Sequence, residues 1–214
     1  MNSENGEKRK LTEKERMLLP SGGYERLKVY QLATLVHDIT SRFVELYIPA
    51  GSRTRDQMEQ AARSGKQNIA EGSVDAATST KLEINLYNVA RGSLEELKID
   101  YLDYLRQHDA IIWDKNHFAC KKFISMQIST KTQFKEFVSW AESLMQNSVH
   151  YRSLPLKSVI VANAVVLLIN VISFWLKKLI VKKLEQFVDN GGFSEHLYHI
   201  RSEKRKSGKN GNTN

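Results

Sequence analysis

Apolar side chains recur along most of this chain at steps of three and four, and no stretch alternates for the length of a strand. Val29, Leu32, Leu35/Val36, Ile39, Phe43 and Leu46/Tyr47 draw one stripe on an amphipathic helix of about 22 residues. Pro49-Ala50-Gly51-Ser52 ends it, because proline disfavours helix in the residue before it. A second helix is predicted from Thr54 to Gly72, its inward positions being Met58, Ala62, Gly65, Ile69 and Gly72. That seam is dominated by small residues. A glycine inside a helix costs up to about 1 kcal/mol relative to alanine, so Gly65 implies a neighbouring backbone that comes unusually near, and Gly72 is expected to cap the helix end.

A third helix follows Thr78-Ser79-Thr80, where Thr80 and Glu83 have the spacing of a capping box. Its stripe runs Leu82, Leu86, Val89/Ala90, Ser93/Leu94, Leu97, Tyr101 and Tyr104/Leu105, while Arg91, Glu95 and Lys98 form a charge ladder on one side. The pattern lapses from 108 to 114, returns briefly at Phe118/Ala119 and Phe123, and resumes in a fourth helix through Phe134, Phe137/Val138, Ala141 and Leu144/Met145, with Thr130 or Thr132 as N-cap. Residues 147–155 read as a linker.

Residues 159–176 form an eighteen-residue apolar run broken only by Asn163, Asn170 and Ser173. By length and hydropathy it could span a membrane. Against that, Asn163, Asn170 and Lys177 recur every seven residues on one stripe, and the helical pattern continues through Leu184 and Phe187 to Val188. A long helix docked by most of its circumference accounts for both. Asp189-Asn190-Gly191-Gly192 stops it, and a short helix from Phe193 to Arg201 is expected, with Ser194 as N-cap.

Composition narrows the chemistry. The chain has 214 residues and a formal net charge of +8, which is not evenly spread. Residues 21–155 carry seventeen basic and sixteen acidic side chains, 156–200 carry five and three, and 201–214 carry five and one. A positive face on the main helical body therefore requires segregation of charges that nearly cancel. The one cysteine, Cys120, allows no intramolecular disulfide and reads as a buried thiol, consistent with a cytoplasmic setting. Residues 1–20 have no apolar core of a secretory signal; 1–22 and 202–214 read as disordered.

The segments Tyr24-Glu25-Arg26-Leu27-Lys28-Val29-Tyr30, Asn68-Ile69-Ala70-Glu71-Gly72 and Ala90-Arg91-Gly92-Ser93-Leu94-Glu95-Glu96 resemble, in that order, the bacterial four helix bundle protein family. Its members include proteins encoded in intervening sequences of large-subunit ribosomal RNA genes, historically classed as ribosomal, and it is distantly related to the accessory variability protein of diversity-generating retroelements. The likeness covers about residues 24–147. Beyond it, Ala162-Asn163-Ala164, Leu168-Ile169-Asn170 and Gly191-Gly192-Phe193-Ser194-Glu195-His196-Leu197-Tyr198 resemble the family's C-terminal suffix domain. The resemblance implies an all-α fold: an antiparallel up-down four-helix bundle over 23–148, a linker at 149–156, and a helical extension over 157–201 with a long and a short helix. It also implies a homo-oligomer, typically a pentameric ring, whose basic surface engages RNA, DNA or a ribonucleoprotein partner such as a reverse transcriptase. Gly65, Asn68, Glu71, Gly72, Glu95, Asn163 and Asn170 become structural or interface positions. The candidate polyanion contacts are Arg63, Lys66, Arg91 and Lys98, joined by Arg201, Lys204, Arg205 and Lys206 of the tail.

Catalysis finds little purchase. A di-metal bundle needs Glu-x-x-His elements on facing helices, and the four bundle helices contain none. His196 and His199 lack a third ligand. Neither Gly22-Gly23 nor Gly191-Gly192 is a phosphate loop, and no nucleophile elbow surrounds Cys120 or a serine. The sequence also shows no aromatic platform of the kind that stacks single-stranded bases. The expectation is a non-enzymatic scaffold without metal or cofactor that binds nucleic acid or a nucleic-acid-handling partner. The alternative is a membrane-tethered assembly module anchored by 159–176.

Overall fold

The computed structural model describes residues 23–76, 79–146 and 154–190, with Tyr198 and Ser202 singly. A 3-10 turn at Tyr24–Arg26 leads into α1 (Lys28–Tyr47), α2 (Arg53–Asp75), α3 (Thr80–Gln107), α4 (Phe118–Met126), α5 (Lys131–Met145) and α6 (Leu156–Asn190); the described residues contain no strand. The protein is all-α. The expected short helix over 193–201, the segment 1–22 and the basic tail, with Arg201, Lys204, Arg205 and Lys206, lie outside the described residues.

The most extensive packing joins α2 to α3, followed by α3 with α6, α1 with α2, and α1 with α6. The long C-terminal helix thus lies against both α1 and α3, while α5 packs mainly on α6 and α4 on α5 and α6. A single apolar core runs through all six helices. It includes Val159, Ile160, Val165, Leu168, Ile169, Ile172 and Leu176 of α6, so the most hydropathic run in the chain is core in this fold.

The α2–α3 seam shows why small residues are needed. A Cβ on Gly65 would lie 2.8 Å from Leu94 Cγ, and one on Gly72 would lie 2.8 Å from the Tyr87 ring and 3.3 Å from the Glu83 carbonyl. Next to the Gly65–Leu94 contact the hydroxyls of Ser64 and Ser93 bridge the helices at 2.9 Å. Asn68 turns back to donate to Ser64 O at 2.9 Å and to Ser64 Oγ at 3.2 Å. Glu71 of the same motif is exposed.

Two sequence expectations are corrected here. Gly72 does not cap α2; the helix continues to Asp75, and Gly72 is buried inside it because the Tyr87 ring occupies the space a side chain would take. Nor do Thr80 and Glu83 form a capping box. Ser79 is the N-cap, its Oγ accepting from Leu82 N at 3.2 Å. Glu83 instead points into the core, 1% exposed, where its Oε1 accepts from Tyr87 Oη at 3.1 Å and meets Lys183 Nζ of α6 at 3.0 Å. Burial, then the Glu83 charge, pushes the Tyr87 phenol well above its ordinary range. The capping box that does form is at α5, where Thr130 and Gln133 satisfy each other's backbone.

At the opposite end of α3, polar side chains join the helices in pairs. Tyr101 Oη donates to Thr40 Oγ1 of α1 at 3.0 Å. Tyr104 Oη donates to Ser158 Oγ of α6 at 2.9 Å, and Ser158 donates in turn to Pro155 O. Buried hydroxyls so paired avoid the 1–3 kcal/mol or so that an unsatisfied group costs.

Candidate nucleic-acid interface

Of the four cations expected to form a polyanion face, Arg63 is exposed and Lys66, Arg91 and Lys98 are partly buried. Arg63 and Lys66 surround His37 of α1 together with Glu59 and Asp38; burial first and Lys66 second hold the His37 imidazole below its ordinary value, while the two carboxylates oppose them. Lys98 is taken up by Glu95 one turn away in the same helix. Arg91 donates to Asn88 Oδ1 at 3.3 Å, and its Nε is buried without a hydrogen-bond partner. Among the described cations of the α2–α3 hairpin, Lys98 is ion-paired with Glu95 and Arg106 with Asp103.

The segregation appears elsewhere. Residues 115–135, bounded by Asp114 and Glu136, contain five lysines and no acid. Lys115, Lys121, Lys122, Lys131 and Lys135 are all exposed. They belong to the loop before α4, to α4, and to the first turns of α5. Lys131 opens α5, where the helix dipole already favours anions, so this end is more positive than the side-chain count alone conveys. Lys131 and Lys135 also line a groove of about 420 Å³ between α1, α5 and α6, with Arg42 and Lys157 on its rim and Phe43 and Phe134 among its apolar walls. The window was legible in the sequence as a lysine-only run, but its charge was lost in the near-neutral total for 21–155.

Within the same segment, tertiary contacts assemble an aromatic stack. Trp113 and His117 lie parallel, 5.0 Å between centroids and 8° between planes, and His117 lies on Phe118 at 4.7 Å and 30°. Trp140 of α5 meets Phe118 edge-on at 5.9 Å, and Lys122 Nζ stands 5.6 Å from the Trp140 centroid. The inner ring, Trp113, is buried; the outer ring, Phe118, is 45% exposed. The cluster is not visible in the sequence pattern. Its members come from a loop, a helix start and a second helix, so no periodicity reveals that they meet.

The stack is held by Asn163. Its Oδ1 accepts from Trp113 N at 2.8 Å, and its Nδ2 donates to Ile111 O and to Val159 O, both at 2.9 Å. One buried side chain on α6 thereby secures the backbone of the preceding loop. Asp114 Oδ1 accepts from Asn116 N at 2.7 Å and His117 N at 2.9 Å, and His117 Nδ1 accepts from Ala119 N at 3.3 Å as the α4 N-cap. Nδ1 thus carries the lone pair and Nε2 the proton. Burial lowers the His117 pKa, Asp114 raising it against that trend, so the ring in the stack is neutral near pH 7. Asn170, one heptad beyond Asn163, faces solvent.

Other chemistry is thin among the described residues. They include no group of three or more metal-ligating side chains. Cys120 is buried, and burial pushes its thiol up, away from the reactive thiolate. Helix α6 is long and apolar enough to cross a membrane, with 56% of its apolar window buried inside the protein. Its second half leaves Phe174, Trp175, Val181, Leu184 and Val188 exposed, Lys178 lying 4.6 Å over the Phe174 ring. Compared with family models, curated proteins and solved structures, the chain matches none.

Proposed function

We propose that this protein is a non-enzymatic, self-associating helical scaffold that binds nucleic acid, or a nucleic-acid-handling partner, through a basic surface. The observation that carries the reading is the run of five exposed lysines without an acid over 115–135. Such a patch attracts a phosphate backbone chiefly by releasing its condensed counterions. On the α2–α3 hairpin, by contrast, cations alternate with carboxylates such as Glu59, Glu71, Glu95 and Glu96.

The scaffold part of the reading rests on packing. Helices α1, α2, α3 and α6 contact one another in a closed cycle, which supports a four-helix bundle with α6, rather than α5, as its fourth member. Paired positions run in opposite directions along α2 and α3, Gly65 against Leu94 and Gly72 against Tyr87, as an antiparallel hairpin requires. Phe174, Val181 and Val188 repeat every seven residues on the exposed half of α6, the spacing of an associating seam, and this supports a homo-oligomer such as the pentameric ring that the family resemblance implies. The burial of most of 159–176 favours this cytoplasmic assembly over a membrane anchor, since a lipid-facing helix does not place Asn163 against loop backbone.

The test is a titration of a fluorescent 20-nucleotide strand over a salt series. Affinity falls as salt rises, and the quadruple variant Lys115→Ala/Lys121→Ala/Lys122→Ala/Lys131→Ala loses slope where Arg91→Ala/Lys98→Ala does not. Salt-independent affinity, or an unchanged slope in the quadruple variant, refutes the basic-surface reading. Light scattering on Val181→Glu/Leu184→Glu tests the assembly: the variant dissociates if the α6 seam joins the copies.

A further inference from the structure

His117 stacks on Trp113 with 8° between planes and on Phe118 with 30°, so the rings lead from the core to the surface. These contacts are the offset and tilted ones that aromatic packing favours, so the ring geometry needs no ligand to explain it; the open side of the outermost ring is what packing leaves over. Here the outermost ring is 45% exposed, Trp140 meets it only edge-on, and exposed lysines lie in the same helix at 121 and 122. A flat, uncharged, polarisable ring added to the outside of Phe118 would continue the stack. The lysines define what that ring is attached to, namely a chain of anions.

We infer that the α4–α5 surface binds single-stranded nucleic acid, an unpaired base stacking on Phe118 beside Trp140 while Lys121 and Lys122 contact the flanking phosphates. The inference rests on the polyanion-binding reading above and adds a selection to it. A duplex offers this site its phosphates but hides its base faces, so the site favours unpaired strands through stacking and not through charge. No base edge is read, because the described surroundings of Phe118 pair an aromatic ring with cations that suit any base. Asn163 is the positioning residue: by holding Trp113 N and Ile111 O it fixes the inner ring against which His117 and then Phe118 lie.

The experiment measures anisotropy of three probes of equal phosphate number: oligothymidine, the same backbone with abasic sugars, and a blunt duplex. The full-length protein is expected to bind oligothymidine roughly 5- to 150-fold more tightly than the abasic strand, the range of one stacked base. Phe118→Ala removes that preference without changing the abasic affinity or the salt slope, and Phe118→Trp restores it. Circular dichroism confirms that each variant is helical, as expected for a position so exposed. Equal affinity of the native protein for oligothymidine and the abasic strand overturns the stacking inference alone and leaves charge-driven binding standing. Failure to bind any of the three overturns both. A base preference that survives in helical Phe118→Ala places the stacking elsewhere and refutes this site.

Discussion

The α2–α3 hairpin and the α4–α5 layer are held in place by different means. In the hairpin, shape dominates: two glycines let Leu94 and Tyr87 come against the α2 backbone at distances no Cβ could share, and cations share the surface with carboxylates, Glu95 pairing with Lys98. The α4–α5 layer has large aromatic side chains, five exposed lysines in a stretch with no acid, and a loop secured to α6 by one asparagine. A region left with surplus charge and an open ring is where a partner is expected.

Changes that remove the fastening of each region have the largest expected effects. Asn163→Ala leaves Trp113 N–H and Ile111 C=O without their partner in a buried setting, and should destabilise the protein by roughly 2–4 kcal/mol in chemical denaturation. Trp113 emission should shift to the red as its loop loosens. A loss under about 0.5 kcal/mol would mean that the loop has another anchor.

In the hairpin, Gly65→Val should cost about 1–3 kcal/mol through overpacking against Leu94. The control is Gly92 of α3, around which a Cβ meets nothing within 4 Å; Gly92→Ala should stabilise by about 0.5–1 kcal/mol. Equal effects at the two glycines would show that the seam is not tight.

Binding separates the regions in the opposite sense. Substituting Lys115, Lys121, Lys122 and Lys131 with alanine should reduce the magnitude of the salt slope for a single strand by about 2–3, with little change in denaturation midpoint. Arg63→Ala and Lys66→Ala should leave the slope within error.

The smallest effect is set by pH. Burial holds His37 and His117 below the ordinary imidazole value of 6.5, so each binds a proton more readily unfolded than folded. Their contribution is complete above about pH 6.5 and is lost as pH falls through the lower folded values. Asp100, raised by burial and by Asp103 and Glu96, acts with the opposite sign nearer the carboxylate range. Denaturation midpoints between pH 7.5 and 5.5 should therefore fall slightly. His117→Asn should flatten the decline, and an unchanged slope would remove His117 from the account.

The sequence was most informative where the physics is local. Helix positions follow from apolar spacing, and α5 begins at Thr130, one of the two caps the sequence offered, because a capping oxygen must lie within three residues of the amide it serves. Gly65 foretold a close approach because an interior glycine is unfavourable unless something fills its space. The capping box at Thr80 and Glu83 failed for a non-local reason: Lys183, a hundred positions away, gives the carboxylate a buried partner that local spacing cannot reveal.

Taken alone, the amino-acid order determined an all-α chain, a small-residue seam in α2, a strongly apolar C-terminal helix and a local excess of lysine. Only the tertiary structure decided that α6 lies against α1 and α3, that Asn163 faces a loop while Asn170 faces solvent, and that Trp113, His117, Phe118 and Trp140 form one cluster. Periodicity describes which side of a helix is apolar. It carries no information about which partner covers that side, and the candidate binding surface arises from the partners.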